Sequence, residues 1–402
     1  MVREILITLY LFFYRVLFTI FKLFPLKNKV VLIASFKDNN LYIFRELEKK
    51  QFPGEVVFLC KKSCFADINK AVSVPVFQIE AGKFIDEVKA AYHLMTAKTV
   101  IVDNYYGFLA VAQFRKEVEC IQIWHAAGAI KNFGYLDPAV ANRSRCAKKR
   151  FRKVYSNFHK VVVGSTAFAQ IFEKAFDVKK DQFLPFGYPR TDFFFNESLH
   201  EERKAKFFEK YPMYQNKKII LYAPTYRPNK DDNRLVLDIQ KMYEGLKGEY
   251  MLFIRMHPSV NLREWDDIKY KDIVADFSGK ASINDLLIVS DYLITDYSSI
   301  PFEYVILNKP MIFYPYDLKE YANNPGLVDQ YDNIVPGPIV FNTDELIHAI
   351  QSYEINKEKY RMFDLKWNEY NNGKSTQNMV QYIFNRHFVE DHEYSKLKAE
   401  GF

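Results

Sequence analysis

The chain has 402 residues, 49% hydrophobic and 26% charged, which is too long for one ordinary domain and suits two, each with its own core. Aromatic residues make up 17%, with 28 Tyr and 36 Phe, which excludes disorder over most of the length. The net charge of +7 is moderate, and the four cysteines, without CxxC spacing, indicate neither a zinc site nor a disulfide framework and fit a reducing cytosol.

From Ile5 to Phe24 the sequence is almost wholly Leu, Phe, Ile, Tyr and Val, long enough to span a bilayer. Glu4, Thr8, Leu11, Arg15, Thr19 and Lys22 recur every three or four residues, so a helix here draws a mostly polar stripe down an apolar cylinder. That pattern predicts residues 1–24 as a helix lying in the membrane interface, with Arg15 and Lys22 toward the headgroups. A spanning helix would place Arg15 near the bilayer centre at about 2.5–3.5 kcal/mol. A secretory signal is the other alternative, but no small-x-small cleavage site precedes Pro25; a docked core helix completes the set.

Beyond residue 24, short β-branched runs alternate with longer helical patterns, which predicts βαβ units and parallel sheets. The expected strands of the first half are Val30–Ser35, Val56–Cys60, Val100–Asp103, Cys120–Trp124 and Val161–Gly164. Those of the second are Lys218–Ala223, Met251–Arg255, Tyr292–Thr295 and Met311–Tyr314. Asn196 to Asn216, charged and helix-prone, reads as the boundary region. The reading is therefore two Rossmann-like domains, 25–205 and 206–385, with a cleft between them and a charged tail over 386–402. Within the first domain, Lys148, Lys149, Arg150, Arg152 and Lys153 form a basic cluster suited to nucleic acid, anionic lipid or a phosphorylated substrate, with a solvated helix face as the plain alternative.

Ligands of open parallel sheets gather beyond the carboxyl ends of the strands. Four such ends carry chemistry here. Trp124 leads into His125, then Gly128 and Lys131. Ala223 leads into Pro224-Thr225-Tyr226-Arg227, and Arg255 into Met256-His257-Pro258. The strand ending at Thr295 runs into Asp296-Tyr297-Ser298-Ser299-Ile300-Pro301-Phe302-Glu303, where N–H groups and hydroxyls at a helix start would hold an anion. Singly, each is a helix cap, a structural histidine or a surface charge. Together they suit a polyphosphate, with Arg forking to oxygen and His titrating near neutrality. Glu303 is placed to accept ribose hydroxyls. GxGxxG, GxxxxGK[ST] and Asp-x-Asp are all absent, so metal is not expected and charge neutralisation falls to Arg, Lys and the helix start.

These segments, with Asn308-Lys309-Pro310 and Tyr314-Pro315-Tyr316-Asp317-Leu318, stand in the order seen in the CDP-glycerol glycerophosphotransferases of wall teichoic acid synthesis. The resemblance runs from about Val30 to Phe384. Within that family, the greasy N-terminus, Asp103-Asn104-Tyr105 and Gly326-Leu327-Val328-Asp329 look most like the glycerol-phosphate primases. Ala126 stands where family members commonly have glycine after the Trp-His pair, which restricts backbone approach there.

The resemblance implies a GT-B-like fold, peripheral attachment to the cytoplasmic membrane face, CDP-glycerol as donor and a lipid-linked disaccharide as acceptor. It implies no cofactor and no nucleic-acid partner, with other teichoic acid enzymes as further partners. On this reading Arg255, Ser298, Ser299, Thr225, Arg227 and Lys131 hold the donor diphosphate and Glu303 its ribose. Asp296 and Gly128 orient their neighbours. His125 removes the acceptor proton, and His257 bonds the phosphoryl oxygens or protonates the leaving group. Arg15, Lys22, Lys148, Lys149, Arg150 and Arg152 meet the membrane. Rival readings are a second-step or polymerising glycerol- or ribitol-phosphate transferase, a GT-B glycosyltransferase, and a membrane protein that binds nucleic acid.

Overall fold

The computed structural model describes residues 2–227, 235–256 and 270–388, and it divides into two compact α/β units. The first comprises 1–126, 133–192 and 368–402; the second comprises 127–132 and 193–367.

The first unit is built on a seven-stranded sheet of β1 (Lys27–Ala34), β2 (Glu55–Cys60), β3 (Val76–Gln78), β4 (Ala97–Val102), β5 (Glu119–Gln122), β6 (Lys160–Val162) and β7 (Phe183–Leu184). All its pairings are parallel, in the order β3-β2-β1-β4-β5-β6-β7. Val30, Val31, Leu32 and Ile33 of β1 are fully buried, as a strand covered on both faces requires. The direction of winding reverses between β1 and β4, so their carboxyl ends flank the topological switch point. In the second unit β8 (Lys218–Tyr222), β9 (Tyr250–Ile254), β10 (Val274–Asp276), β11 (Tyr292–Thr295) and β12 (Met311–Phe313) pair in parallel as β10-β9-β8-β11-β12, with the switch between β8 and β11.

All nine expected strands are present, so the predicted pair of parallel α/β units is what the chain forms. The three further strands, β3, β7 and β10, lie at sheet edges and are two or three residues long, too short to show a pattern. The last helix, Ser375–Phe388, packs in the first unit: Asp192 accepts from Ser375 N (2.9 Å) and Thr376 N (2.8 Å), and His387 Nε2 meets Thr99 Oγ1 at 2.9 Å.

The N-terminal helix, Val2–Phe21, is docked on the first unit along one face. Tyr14 is fully buried, stacked on Phe108 at 5.1 Å and donating to Glu87, and Phe18 is buried beside it. Each such side chain contributes about 1.5–3 kcal/mol on burial. The face turned outward is also apolar: Leu6, Leu9 and Phe12 are each about 60% exposed, continued by Ile5, Val16 and Ile20. Thr8, Arg15, Thr19 and Lys22 lie exposed between the two apolar faces. It is long and apolar enough to cross a membrane by composition, the one such helix among the described residues.

The basic cluster forms helix Arg145–Tyr155, started by Ser144, whose hydroxyl accepts from Ala147 N (3.1 Å). Ala147, Val154 and Tyr155 are buried while Lys148, Lys149 and Arg152 face outward. Arg150 instead pairs with Glu4 of the N-terminal helix at 3.2 Å, so the apolar and basic helices are tied together.

Candidate active site

In the second unit the switch point is closed by Asp296, at the tip of β11 and 1% exposed. Its Oδ1 accepts from Thr225 N (2.8 Å), beyond the end of β8, and from Tyr297 N (2.6 Å). Its Oδ2 accepts from Arg227 Nη2 (2.8 Å), and Tyr331 OH donates to its main-chain oxygen (2.7 Å). Arg227 is spent within this network. Nε and Nη2 fork onto Asp317 (2.9 and 3.0 Å), and Nη1 reaches Thr225 O. The guanidinium lies 4.9 Å from the ring centres of Tyr297 and Tyr321 and 5.4 Å from Tyr316. Two buried carboxylates thus neutralise it, which makes it a brace between the strand tips.

Thr225 Oγ1 is buried and has no hydrogen-bond partner among the described residues. It lies just past the end of β8 at the switch point, where ligands of parallel sheets gather. Ser298 and Ser299, both half-buried, follow Asp296; Ser298 Oγ accepts from Ile300 N at 3.3 Å. The helix behind them is a single turn, Pro301–Tyr304, continued by a 3-10 turn over Val305–Leu307 and closed by Asn308 at φ 51°. The expected helix start is therefore present, but so few aligned peptides sum to little dipole, and anion binding there falls to hydroxyls, N–H groups and cations.

Arg255, at the tip of β9, donates from Nη1 to Ala281 O (2.8 Å), and burial lowers its pKa from the ordinary arginine value. Glu303 is 3% exposed, inside the single helical turn. Residues 127–132 belong to this unit through a bridge between Lys131 and Leu327 and through Val328 N donating to Ile130 O at 2.9 Å. Lys131 is solvent-accessible; surrounding protein and the Arg227 guanidinium lower its ammonium pKa while Asp296 raises it. Gly128 lies against the ring of Phe302, where a Cβ would come within 2.6 Å of ring carbon. His257 lies outside the described residues.

His125 belongs to the first unit, just beyond β5. Its Nδ1 lies 2.9 Å from Asp103 O, the carbonyl at the tip of β4. A carbonyl can only accept, so the proton of the neutral ring sits on Nδ1 and Nε2 is the basic nitrogen. Phe36 stacks on the ring at 4.5 Å and 22°, and Trp124 lies at 4.2 Å. Trp124 holds the left-handed backbone (φ 51°), kept there by Gln122 Oε1 accepting from its N–H (2.9 Å) and Asn39 Nδ2 donating to its carbonyl (3.0 Å). Arg190 Nη1 donates to His125 O at 3.0 Å. Phe36, Asn39 and Arg190 are not among the residues singled out above, and Asp103 and Asp317 stand there only inside motifs, without a role in the site. The available signal was an aspartate directly after an apolar strand in both halves, Ile101-Val102-Asp103 and Ile294-Thr295-Asp296.

The sequence matches the family described as CDP-Glycerol:Poly(glycerophosphate) glycerophosphotransferase over residues 16–385. It is 38% identical to the teichoic acid glycerol-phosphate primase of Bacillus subtilis (strain 168), covering 96% of this chain and 99% of that one. It is 32% identical to the teichoic acid poly(ribitol-phosphate) polymerase of Bacillus spizizenii, covering 91% of this chain and 58% of the polymerase. The fold is that of the wall teichoic acid polymerase TagF, with a TM-score of 0.77 at 22% identity over 97% of this chain and 99% of that one.

Proposed function

The chain belongs to the CDP-glycerol:poly(glycerophosphate) glycerophosphotransferase family and is a glycerophosphotransferase, and from that premise we propose that it is a primase. In this reading it transfers one glycerol phosphate from CDP-glycerol to a disaccharide carried on a polyprenyl diphosphate, the first step of linkage-unit synthesis, and releases CMP. The observation that carries this is the 38% identity to a glycerol-phosphate primase across nearly the whole of both chains.

CDP-glycerol binds at the β8/β11 switch point. Thr225 Oγ1, Ser298 and Ser299 hydrogen-bond the diphosphate, Arg255 and Lys131 neutralise it, and Glu303 accepts from the ribose. Arg227 and Asp296 fix the two strand tips that carry these groups. Nε2 of His125 takes the proton of the acceptor hydroxyl as its oxygen attacks the β-phosphorus; the bond to the bridging oxygen breaks and CMP leaves. His257 is assigned to the transferred phosphoryl group on sequence alone. The outward apolar face of the N-terminal helix, joined to the basic helix by Glu4 and Arg150, supports attachment to the cytoplasmic face of an anionic membrane. Phe84 and Ile85, about two-thirds exposed with Phe84 against Phe13, extend that apolar surface.

The test uses purified full-length enzyme with CDP-glycerol or CDP-ribitol, and lipid-linked disaccharide with or without one glycerol phosphate already attached. The expected product carries a single added unit, formed from CDP-glycerol on the bare disaccharide. A preference for the primed acceptor, for CDP-ribitol, or for long products overturns the assignment.

A further inference from the structure

The first sheet repeats at its own switch point the device found in the second. Asp103 directly follows β4, is 1% exposed, and takes the N–H of Ser35 on both carboxylate oxygens (3.0 and 2.9 Å). The same carboxylate accepts from Phe36 N (2.9 Å), Asn40 Nδ2 (3.1 Å) and Tyr106 OH (2.7 Å). A carboxylate has about four lone-pair sites, so these donors fill it. What sets Asp103 apart from an ordinary buried brace is that two of the things it fixes touch His125. Its own carbonyl holds Nδ1 at 2.9 Å, and Phe36, whose N–H it captures, stacks on the ring at 4.5 Å.

We infer that Asp103 is a positioning residue for His125, setting the tautomer of the imidazole through its main-chain carbonyl and the ring plane through Phe36. The inference rests on the proposed role of His125 as base. Replacing the carboxylate by an amide turns an NH2 group toward N–H donors of Ser35 or Phe36, so the β1 tip, Phe36 and the β4 carbonyl shift together. A misplacement of about 1 Å at a reacting group costs on the order of 10²-fold in rate.

The experiment measures CMP release from CDP-glycerol with lipid-linked disaccharide for the full-length wild type, Asp103→Asn, Phe36→Leu, His125→Ala, and the Asp103→Asn/His125→Ala pair. Alongside, 15N-imidazole NMR reads the His125 tautomer in the wild type and the first two variants. Expected are a kcat loss on the order of 10²-fold in Asp103→Asn with KM for CDP-glycerol unchanged, a smaller loss in Phe36→Leu, no further loss when Asp103→Asn is added to His125→Ala, and a wild-type Nδ1–H tautomer that gives way to a mixture in Asp103→Asn. Equal losses from Asp103→Asn with and without His125, or the same tautomer throughout, overturn the inference. Should Asp103→Asn fail to fold, Phe36→Leu decides through the ring signal and kcat. Full turnover in His125→Ala sinks the base assignment instead, and the NMR arm still decides the positioning.

Discussion

Arg227→Met separates a brace from a ligand-binding arginine. Methionine fills similar apolar space but removes every donor, leaving Asp296 and Asp317, whose side chains are only 2% and 7% exposed, without their shared cation. Taken as independent charge-assisted bonds, the contacts at 2.8, 2.9 and 3.0 Å would be worth about 1.5–3 kcal/mol each. They share one group and are not additive, and breaking a buried ion pair from one side costs about 3–5 kcal/mol. With a urea m-value of about 2 kcal/mol/M, the midpoint of the second unit should fall by about 1.5–2.5 M, read from the fluorescence of Trp367, buried in the same unit. Arg227→Lys keeps the charge without the fork to Asp317 and recovers part of the loss. A Met variant within about 1 kcal/mol of wild type, with donor affinity reduced instead, refutes the brace.

Thr225→Val, which keeps the N–H bond to Asp296 but deletes the orphaned hydroxyl, should raise KM for CDP-glycerol about tenfold or more, the worth of one hydrogen bond to a charged group; an unchanged KM removes Thr225 from the site. Gly128→Ala drives a methyl to 2.6 Å from the ring of Phe302, which is itself confined by Phe363 (5.3 Å) and Trp367 (4.6 Å). Thermal unfolding should show a loss of about 1–3 kcal/mol, relieved by adding Phe302→Leu. On the N-terminal helix, Leu9→Ser with Phe12→Ser should weaken sedimentation with anionic vesicles at least tenfold, each buried apolar side chain being worth about 1.5–3 kcal/mol; undiminished binding would move the contact elsewhere. Burial lowers the His387 pKa to about 4, with Lys98 and Arg386 adding to the shift. The unfolded chain, titrating near 6.5, then binds the proton first, so stability present above pH 6.5 is lost as pH falls toward 4, by about 3 kcal/mol. His387→Gln should flatten that part of the acid-unfolding curve.

The sheets were legible because buried parallel strands are short continuous apolar runs, and a run such as Val30-Val31-Leu32-Ile33 fits little else. Edge strands of two or three residues have no pattern of their own; Phe183–Leu184 is a strand only because β6 lies beside it. The docking of the last helix on the first unit was equally hidden. It depends on Asp192 holding two N–H groups more than 180 positions along the chain, and no local periodicity records that. The N-terminal helix showed its polar stripe in sequence, but not that one of its two apolar faces is already occupied by Phe108 and the helix over Phe84–Thr96.

The candidate site was legible where composition changes abruptly at a strand tip, as at Thr295-Asp296-Tyr297-Ser298-Ser299, and illegible where a residue acts on distant backbone. Asp103, and the reach of Asp296 to the Thr225 N–H, show why. At a switch point the chains leave adjacent strands toward opposite faces of the sheet, so N–H groups just past one strand have no ladder partner. Ser35 N and Phe36 N stand in that position in the first sheet, and Thr225 N in the second. A carboxylate at the neighbouring tip supplies the missing acceptors in both cases. Each aspartate therefore solves a problem of the backbone first. Because the same gap is where a parallel sheet receives ligands, the groups it orders are the ones that chemistry can use: the Thr225 hydroxyl in one sheet and the His125 ring in the other.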